Sequence, residues 1–401
     1  MQMNIHGHLS AMILRVAALF ILSLNVVQAA TLAWVGGDGA WEDPANWQSD
    51  EDPPQNRMPV NGDTIRPVAA GITVTYSATT GAQTLPGTTI WQDSSATTSF
   101  EHTGGDLQVN QLYLATLKTD TNSLYRVTGG SLFVNRNLNM TWSNSSQIDS
   151  RFVQAGGSVR IGDGNGEGVW MCLKNQNQIA HYDLEGGDFE ARNVSLCQGG
   201  ANSSAYFTQG AGTTAVINQQ LILGRTAGTT GEAIYHLNGG ELTIESALDP
   251  ILFFQPGAPV YFDFAGGALN LPGTWDFAAL TAIPDADFRV FGIAATAANL
   301  NFDSVIVDTV EYTRITAEVT IPIVIKQLMY DRNSDAVTLS WTSQPGKSYE
   351  ILWSTDLTNY LSSGVVSAHP SDSETLAGPF ANPAPGAKRV YFRLGEAATA
   401  P

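Results

Sequence analysis

Short runs of alternating apolar and polar residues recur along most of the chain. Leu107 and Val109 belong to one such run and Leu112 and Leu114 to the next, with a single residue between the members of each pair. A period of two is typical of a β-strand with one buried face. The pattern predicts two or three short strands in each repeating unit and no helix between them.

A pair of glycines, written Gly-Ala-Gly at Gly210, returns about every 27 residues. An aromatic residue stands four positions before the first glycine of the pair. The aromatic residues predicted by this spacing are Phe100, Tyr125, Phe152, Tyr182, Tyr206, Tyr235 and Phe262. Such a unit cannot bury its own apolar face, but stacked units form parallel sheets around one core. We therefore predict an all-β chain built on a parallel β-helix (β-solenoid), in which the rings stack inward and the glycines turn the corners.

Changes in the pattern divide the chain into segments. An apolar stretch after Arg15, followed by small residues, is typical of a signal peptide. The predicted segments are a signal peptide over 1–30, an N-terminal cap and first coils over 31–99, the β-helix repeats over 100–272, closing coils and a cap over 273–325, and a small β-sandwich over 326–401.

The start of the repeats resembles a family of secreted bacterial proteins. Trp34, Trp41 and Trp47 lie within "AWVGGDGAWEDPANW", and a proline-rich stretch follows. Together with the later Gly-Gly turns, this stretch resembles the autotransporter-associated β-strand repeat family. The resemblance implies a secreted or cell-surface β-helix of a Gram-negative-type bacterium and implies no catalytic activity. We expect the three tryptophans to cap the first coil, and a patch that stacks on sugars is the alternative.

The C-terminal segment has a different strand pattern. Trp341, Tyr349 and Ile351 lie in alternating runs on either side of a "QPGK" turn. Their spacing resembles that of the small fibronectin-like β-sandwich found at the C-termini of many secreted bacterial proteins. The resemblance implies an accessory module for secretion or attachment.

The net charge of the chain limits the kinds of molecule that it can bind. The chain of 401 residues has 37 acidic and 19 basic residues, for a net charge of -18. Such a surface repels nucleic acid. No segment after the predicted signal peptide is apolar enough for a membrane span. We expect extracellular polysaccharide or cell-envelope components as partners, and no cofactor.

One set of charged residues has the spacing of a candidate catalytic site. Arg160 and Glu190 fall at the same position of adjacent turns, with Asp188 and Arg192 on the same stretch as Glu190. A polysaccharide lyase or glycoside hydrolase on a β-helix needs such groups to converge on the outer face. The alternative is an exposed ladder of opposite charges.

The stretch "GDGNGEG" offers a candidate metal site. Asp163, Asn165 and Glu167 alternate as oxygen ligands do in calcium-binding loops. The stretch occurs once, without the distal Glu of an EF-hand, so an inserted loop is the preferred interpretation.

Cys172 and Cys197 are the two cysteines of the chain. They fall at equivalent positions of consecutive coils, where stacked strands place Cα atoms about 4.8 Å apart. That separation lies within the range of a disulfide, and an export compartment permits the bond. The sequence leaves open a disulfide or a stacked pair of free thiols.

These features favour a non-enzymatic secreted or cell-surface β-helix with a structural, adhesive or matrix-associated role. The alternative is a carbohydrate-active enzyme, because that class often uses this scaffold.

Overall fold

The structure, a computed structural model, is all-β apart from short helices. The residues it describes are 29–67, 71–92, 98–115, 122–141, 148–164, 166–172, 177–197, 202–224, 231–254, 259–307, 309–317, 325–343, 347–356, 358–367, 374–387 and 389–396. Residues 1–28 of the predicted signal peptide lie outside these ranges.

The described residues from Thr31 to Ala317 form a parallel β-solenoid of about seven turns with a spacing of ~27 residues, as predicted. Its strands are β1 (Thr31–Trp34), β2 (Gly39–Ala40), β3 (Trp47–Ser49), β4 (Thr64–Pro67), β5 (Thr73–Tyr76), β6 (Gln83–Gln92), β7 (Thr98–His102), β8 (Asp106–Leu114), β9 (Asn122–Val127), β10 (Ser131–Val134), β11 (Asn137–Met140), β12 (Ile148–Ile161), β13 (Gly168–Met171), β14 (Gln178–Leu196), β15 (Ser204–Gln209), β16 (Thr214–Leu223), β17 (Ala233–Ile244), β18 (Ile251–Phe253), β19 (Val260–Pro272), β20 (Phe288–Val290), β21 (Ile293–Ala294), β22 (Leu300–Val307) and β23 (Val310–Ala317). The helices are short: two 3-10 helices, Pro44–Asn46 and Ala78–Thr80, and α1 (Phe277–Thr281).

Three parallel sheets surround the core, and the longest strands bend at the corners to join more than one of them. The first sheet runs through β5, β7, β9, β12, β14, β15, β17, β19 and β20. The second sheet runs through β6, β8, β10, β12, β14, β16, β17 and β19. The third sheet runs through β1, β4, β6, β8, β11, β13, β14, β16 and β18.

A column of stacked aromatic rings fills the core against the first sheet. Successive ring centroids lie 4.5 to 5.2 Å apart, with planes within 18° of parallel. The column consists of Phe100, Tyr125, Phe152, Tyr182, Phe207, Tyr235 and Phe262. The predicted stack is therefore confirmed, but the prediction of Tyr206 is wrong. Tyr206 points outward and stacks on His181, with ring centroids 5.0 Å apart.

The corner after this strand explains the error, because Ala211 and Gly212 take the places that a pair of glycines holds in the other corners. Its left-handed residue is Gly212, with φ of 73°, and the first glycine of the corner is Gly210. Counting four residues back from Gly210 gives the wrong ring. Phe207 lies five residues before Gly212, as Tyr182 does before Gly187. One additional residue after Gly212 places Ala215 in register with Phe189.

Gly130 shows why these corners require glycine. Its φ of 75° lies in the left-handed region that residues with a Cβ adopt at a cost. A Cβ here would also lie 2.1 Å from the carbonyl oxygen of Gly105 on the preceding turn. Backbone conformation and close packing of successive turns therefore both exclude a side chain.

A second left-handed column, which the sequence analysis missed, ends the strands of the third sheet. Ala115, Thr141, Cys172 and Cys197 occupy it on successive turns with φ between 51° and 55°, and Gly224 continues it with φ of 66°. All five residues are small and buried. Small side chains fit here because the corner turns them into the core.

Buried tryptophans cover the N-terminal end of the core. Trp47 packs edge-to-face against Trp34 and Trp41, with ring centroids 4.7 and 4.9 Å away. The ring of Trp41 lies 5.7 Å from that of Phe100, the first member of the aromatic column. Strand β3 pairs antiparallel with β1 and so covers the first edge of the third sheet.

The last turns are closed in the same way. Strands β22 and β23 form an antiparallel pair, and β23 also lies antiparallel on β19 of the second sheet. Strand β21 pairs antiparallel with β20 at the end of the first sheet. Antiparallel strands therefore close sheets at both ends of the solenoid.

The C-terminal residues form two small antiparallel sheets with a core of their own. One sheet has the order β24-β25-β28 and the other β27-β26-β29. Trp341, Tyr349 and Ile351 are buried in the shared core, as the alternation predicts. The strands are β24 (Ile325–Asp331), β25 (Ala336–Thr342), β26 (Ser348–Ser354), β27 (Leu361–Ser367), β28 (Glu374–Ala381) and β29 (Tyr391–Glu396).

Candidate functional site

The predicted catalytic residues form an exposed ladder on the second sheet. Arg160 Nε lies 3.5 Å from Glu190 Oε1, and the two side chains are 52% and 41% exposed. The Arg160 guanidinium also lies 5.1 Å from the centre of the Phe133 ring on the preceding turn. Asp188 is exposed and Arg192 is half-buried. This geometry is that of a surface ion pair, which contributes about 1 kcal/mol or less to stability.

The three tryptophans near the N-terminus have no exposed ring face. Trp34, Trp41 and Trp47 are each 0% exposed. Because a stacking platform must present a ring face to its ligand, their burial contradicts the sugar-stacking alternative. They pack against one another, and Trp41 lies over Phe100, the first ring of the aromatic column.

In the candidate calcium loop, the carboxylate of Glu167 is bound by groups of the protein itself. Glu167 Oε1 pairs with Arg136 Nε at 3.2 Å, and Glu167 Oε2 accepts a hydrogen bond from the Gly164 amide at 2.7 Å. Asp163 is exposed, and Asn165 lies outside the described residues. Within the described ranges no group of three His, Cys, Asp or Glu side chains could hold a metal ion. Both carboxylate oxygens of Glu167 therefore have partners within the protein.

Cys172 and Cys197 are free, buried thiols on adjacent turns. Cys172 Sγ lies 3.2 Å from the Ser204 carbonyl oxygen, and Cys197 Sγ lies 3.0 Å from that of Ser203. Burial, together with hydrogen bonding to Cys172, raises the pKa of the Cys197 thiol well above its ordinary value of 9.0. Such thiols pack as small apolar groups.

The outer face of the first sheet brings together titratable residues that the sequence analysis did not combine. His236 and Asp263 occupy the same position of consecutive turns, and His236 Nδ1 lies 3.4 Å from Asp263 Oδ2. The Arg289 guanidinium lies 3.8 Å from the centre of the Tyr261 ring and pairs with Asp287 at 2.8 Å. We call these five residues the His236 cluster.

Its chemistry combines a carboxylate-bound imidazole with a guanidinium. A carboxylate on Nδ1 fixes the ring orientation of a histidine and leaves Nε2 for another partner. Asp263 is itself 6% exposed and accepts a hydrogen bond from the Gly292 amide at 2.9 Å. Burial raises the pKa of Tyr261. His236 lies four residues before the left-handed Gly240, and Asp263 lies four residues before the left-handed Gly267. This equal spacing is the sequence signal that links the two residues.

The outer face of the third sheet carries two further columns that the sequence analysis missed. The aromatic face column consists of Arg66, Trp91, Tyr113, Asn139, Trp170 and Ser195. The amide face column consists of Thr89, Gln111, Asn137, Gly168, Asn193 and Gln220, with Gly168 as its one member without a side chain. The sequence signal is an aromatic residue between two inward aliphatic ones, as in Tyr113 between Leu112 and Leu114.

Comparisons with protein-family models, with curated proteins and with solved structures give no match to this chain. In the part of the chain that the structure describes, no helix has the length and hydrophobicity needed to cross a bilayer.

Proposed function

We propose that the chain is a non-enzymatic, secreted or cell-surface β-helix with a structural, adhesive or matrix-associated role. The observation that carries this proposal is the continuous inner stack of rings from Phe100 to Phe262, closed by antiparallel strands at both ends. In this proposal the signal peptide over 1–30 exports the chain from a Gram-negative-type bacterium. The resemblance to the autotransporter-associated β-strand repeat family supports the same setting.

A closed solenoid suits such a role because it presents long, regular faces. Its core runs through every turn without an internal break, since each inward ring packs on the next. Strand edges at the ends are covered, which disfavours uncontrolled edge-to-edge association. The faces of the three sheets then remain as the surfaces for partners.

In this proposal the C-terminal segment is a fibronectin-like β-sandwich that serves attachment. Supporting the attachment role, large apolar side chains are exposed on its strands: Leu328 is 49%, Leu361 57% and Leu376 66% exposed. Exposed apolar groups that gather on one module are typical of contact surfaces.

Localisation of the full chain in its native cells tests the proposal. We expect an antibody to label intact cells or their matrix, and external protease to remove the label. Deletion of the gene should weaken surface attachment or matrix cohesion. A chain found only inside unbroken cells would overturn the proposal.

A carbohydrate-active enzyme, either a polysaccharide lyase or a glycoside hydrolase, is the second candidate function. The observation that favours it is the His236 cluster, where an imidazole, a guanidinium and carboxylates share one outer face. Release of reducing ends or unsaturated products from polysaccharides by the purified chain tests it. If the chain is an enzyme, His236→Ala should abolish turnover and Glu190→Ala, on the exposed ladder of the second sheet, should keep it.

A further inference from the structure

Strand β24 forms a free edge of the sheet β24-β25-β28. It pairs with β25 on one side, and among the residues that the structure describes no strand lies on its other side. The backbone N–H and C=O groups along such an edge can pair with a further strand. Every residue from Lys326 to Asp331 is exposed. This edge is therefore open to solvent along most of its length.

Large apolar side chains lie on both faces of this edge strand. Leu328 is opposite Leu339 of β25, which is 0% exposed. Tyr330 is opposite Val337, which is also buried. Because opposite residues share a face of the sheet, Leu328 and Tyr330 lie on the core side, yet each is 49% exposed. Met329 lies on the other face and is 47% exposed, so the edge presents three large apolar residues in succession.

The other three edge strands of the two C-terminal sheets have features that hinder pairing with a further strand. β28 contains Pro379, which has no backbone N–H, and its pairing with β25 has a register shift. β27 also has a register shift within its pairing, and β29 contains the exposed, charged Arg393. The register shift of β24 falls before Gln327, so the stretch Gln327–Asp331 is regular.

The stretch Gln327–Asp331 is complementary to a second copy of itself in the antiparallel direction. When Met329 lies opposite Met329 of the second copy, Leu328 lies opposite Tyr330. In the same register Gln327 lies opposite Asp331, to whose carboxylate it can donate a hydrogen bond. Apolar residues then meet apolar residues on both faces of the sheet. The arrangement has two-fold symmetry, which is the commonest symmetry of protein dimers.

The distribution of charge favours contact between copies at the C-terminal sheets. Residues 325–396 include seven acidic and six basic residues, for a net charge of -1, whereas residues 1–324 include 30 acidic and 13 basic residues, for a net charge of -17. Two solenoids brought together therefore repel each other, and the nearly neutral C-terminal sheets do not. Lys326 and Arg332 flank the complementary stretch and are exposed, where solvent screens their charges.

We propose that two copies of the chain form a dimer by antiparallel pairing of their β24 strands, with the two Met329 residues at the two-fold axis. Leu328 of each copy packs against Tyr330 of the other on the core side. The Tyr330 ring is already held in place, because its hydroxyl donates a hydrogen bond to Asp335 Oδ1 at 2.6 Å. In the dimer β28 forms both outer edges of the joined sheet, and Pro379 on it ends the pairing at two copies. The inference goes beyond the proposed surface role and does not depend on it.

Sedimentation velocity of the full chain over a series of concentrations tests the association. We expect an equilibrium between monomer and dimer without larger species. Met329→Lys places two ammonium groups directly opposite each other, so it should weaken dimerisation at least about tenfold. Leu376→Lys changes an apolar residue of β28 that is 66% exposed, and it should leave the dimer unchanged. A wild-type chain that stays monomeric at every concentration, or a Met329→Lys variant that dimerises as the wild type does, would overturn the inference.

Cysteine substitutions test the register and do not depend on how well a charged variant folds. Met329→Cys should form a disulfide between copies when copper phenanthroline is added as the oxidant, because the two substituted positions lie directly opposite each other. Gln327→Cys is the matched control on the same face, since its two copies are four residues apart along the strands, or about 14 Å, beyond the reach of a disulfide. Cys172 and Cys197 are buried and should not contribute. If Met329→Cys forms no cross-linked dimer, or Gln327→Cys forms as much, the inference is wrong, and the proposed surface role stands on its own test.

Discussion

The Tyr182 hydroxyl donates a hydrogen bond to Gln154 Oε1, 3.0 Å away on the preceding turn. The Gln154 amide in turn donates to the Asp188 carbonyl oxygen at 2.9 Å. The same arrangement recurs two turns later, where the Tyr235 hydroxyl lies 2.8 Å from Gln209 Oε1. At these two turns a glutamine of the preceding turn thus satisfies the tyrosine hydroxyl inside the stack of rings.

This relationship predicts the effect of removing one hydroxyl. Tyr182→Phe keeps the stacked ring but leaves buried Gln154 Oε1 without its donor, so the free energy of unfolding should fall by about 1 to 3 kcal/mol. Tyr125→Phe is the matched control, because the Tyr125 hydroxyl is buried and has no hydrogen-bond partner among the residues that the structure describes. Urea titration should show no loss for Tyr125→Phe. Equal losses in the two variants would contradict the assignment.

The stacked tyrosines also predict alkaline unfolding. Burial raises the pKa of Tyr125, Tyr182 and Tyr235 well above the ordinary value of 10.0. The unfolded chain releases these protons near that value while the folded chain keeps them. The three tyrosines therefore contribute fully to stability below about pH 10, and this contribution is lost as the pH rises above that value. The free energy of unfolding should fall by about 1.4 kcal/mol per pH unit for each tyrosine. Urea titrations between about pH 9 and about pH 11 should show this slope, and it should be smaller in Tyr125→Phe. A slope unchanged by that substitution would refute the explanation.

Most of the solenoid could be predicted from the sequence because its signals are local. Alternating pairs such as Leu107 and Val109 fix which side chains face inward, and the recurring glycines fix the corners. Tyr206 escapes this reasoning because Ala211 replaces the first glycine of its corner, so that a count from Gly210 is wrong by one residue. A one-residue shift reverses the face of every side chain in a strand.

The outer faces were harder to predict because they depend on which turns become neighbours. His236 and Asp263 are 27 positions apart in the sequence and become partners when their strands pair in register. Tyr113 is apolar enough to pass for a core residue, and its outward direction follows from its position between two inward leucines. Asn139 gives no sequence signal at all, because its burial without a hydrogen-bond partner among the described residues is a property of the packed structure.

Two corner glycines predict different costs for the same substitution. Gly130 and Gly212 both have left-handed φ angles, 75° and 73°. A Cβ on Gly130 would meet a carbonyl oxygen at 2.1 Å, whereas a Cβ on Gly212 would meet nothing within 4 Å. Gly212→Ala should therefore lower the free energy of unfolding by about 1 to 2 kcal/mol. Gly130→Ala should lower it by at least twice as much or prevent the chain from folding. Urea unfolding midpoints that match would show that the turns can separate to make room.

The cysteine pair predicts slow thiol chemistry in the folded chain. Cys172 and Cys197 are buried, which keeps both thiols from reagents in solution, and burial also raises the pKa of the Cys197 thiol. A thiol reagent such as Ellman's reagent should label both residues only after denaturation without reductant. Rapid labelling of the native chain would contradict their burial. Labelling of neither residue in the denatured chain would show that the exported protein forms the disulfide.

Arg57 predicts a large effect at the N-terminal cap. Its guanidinium donates to both oxygens of Asp63, at 2.7 and 3.0 Å, and Asp63 is 0% exposed. Arg57→Ala leaves that carboxylate buried without its counter-ion, which costs about 3 to 5 kcal/mol. Arg151→Ala breaks the pair with Asp183 on the outer face, where Arg151 is 55% exposed, and should cost no more than about 1 kcal/mol.

Urea unfolding of the two arginine variants gives the comparison. The Asp63 carboxylate also accepts hydrogen bonds from the amides of Ala30, at 3.0 Å, and Val60, at 2.7 Å, so it connects the first strand to the loop before β4. Loss of Arg57 should therefore expose the fluorescence of the capping tryptophans to quencher at lower urea than in Arg151→Ala. If the two variants unfold together, the buried ion pair does not hold the cap.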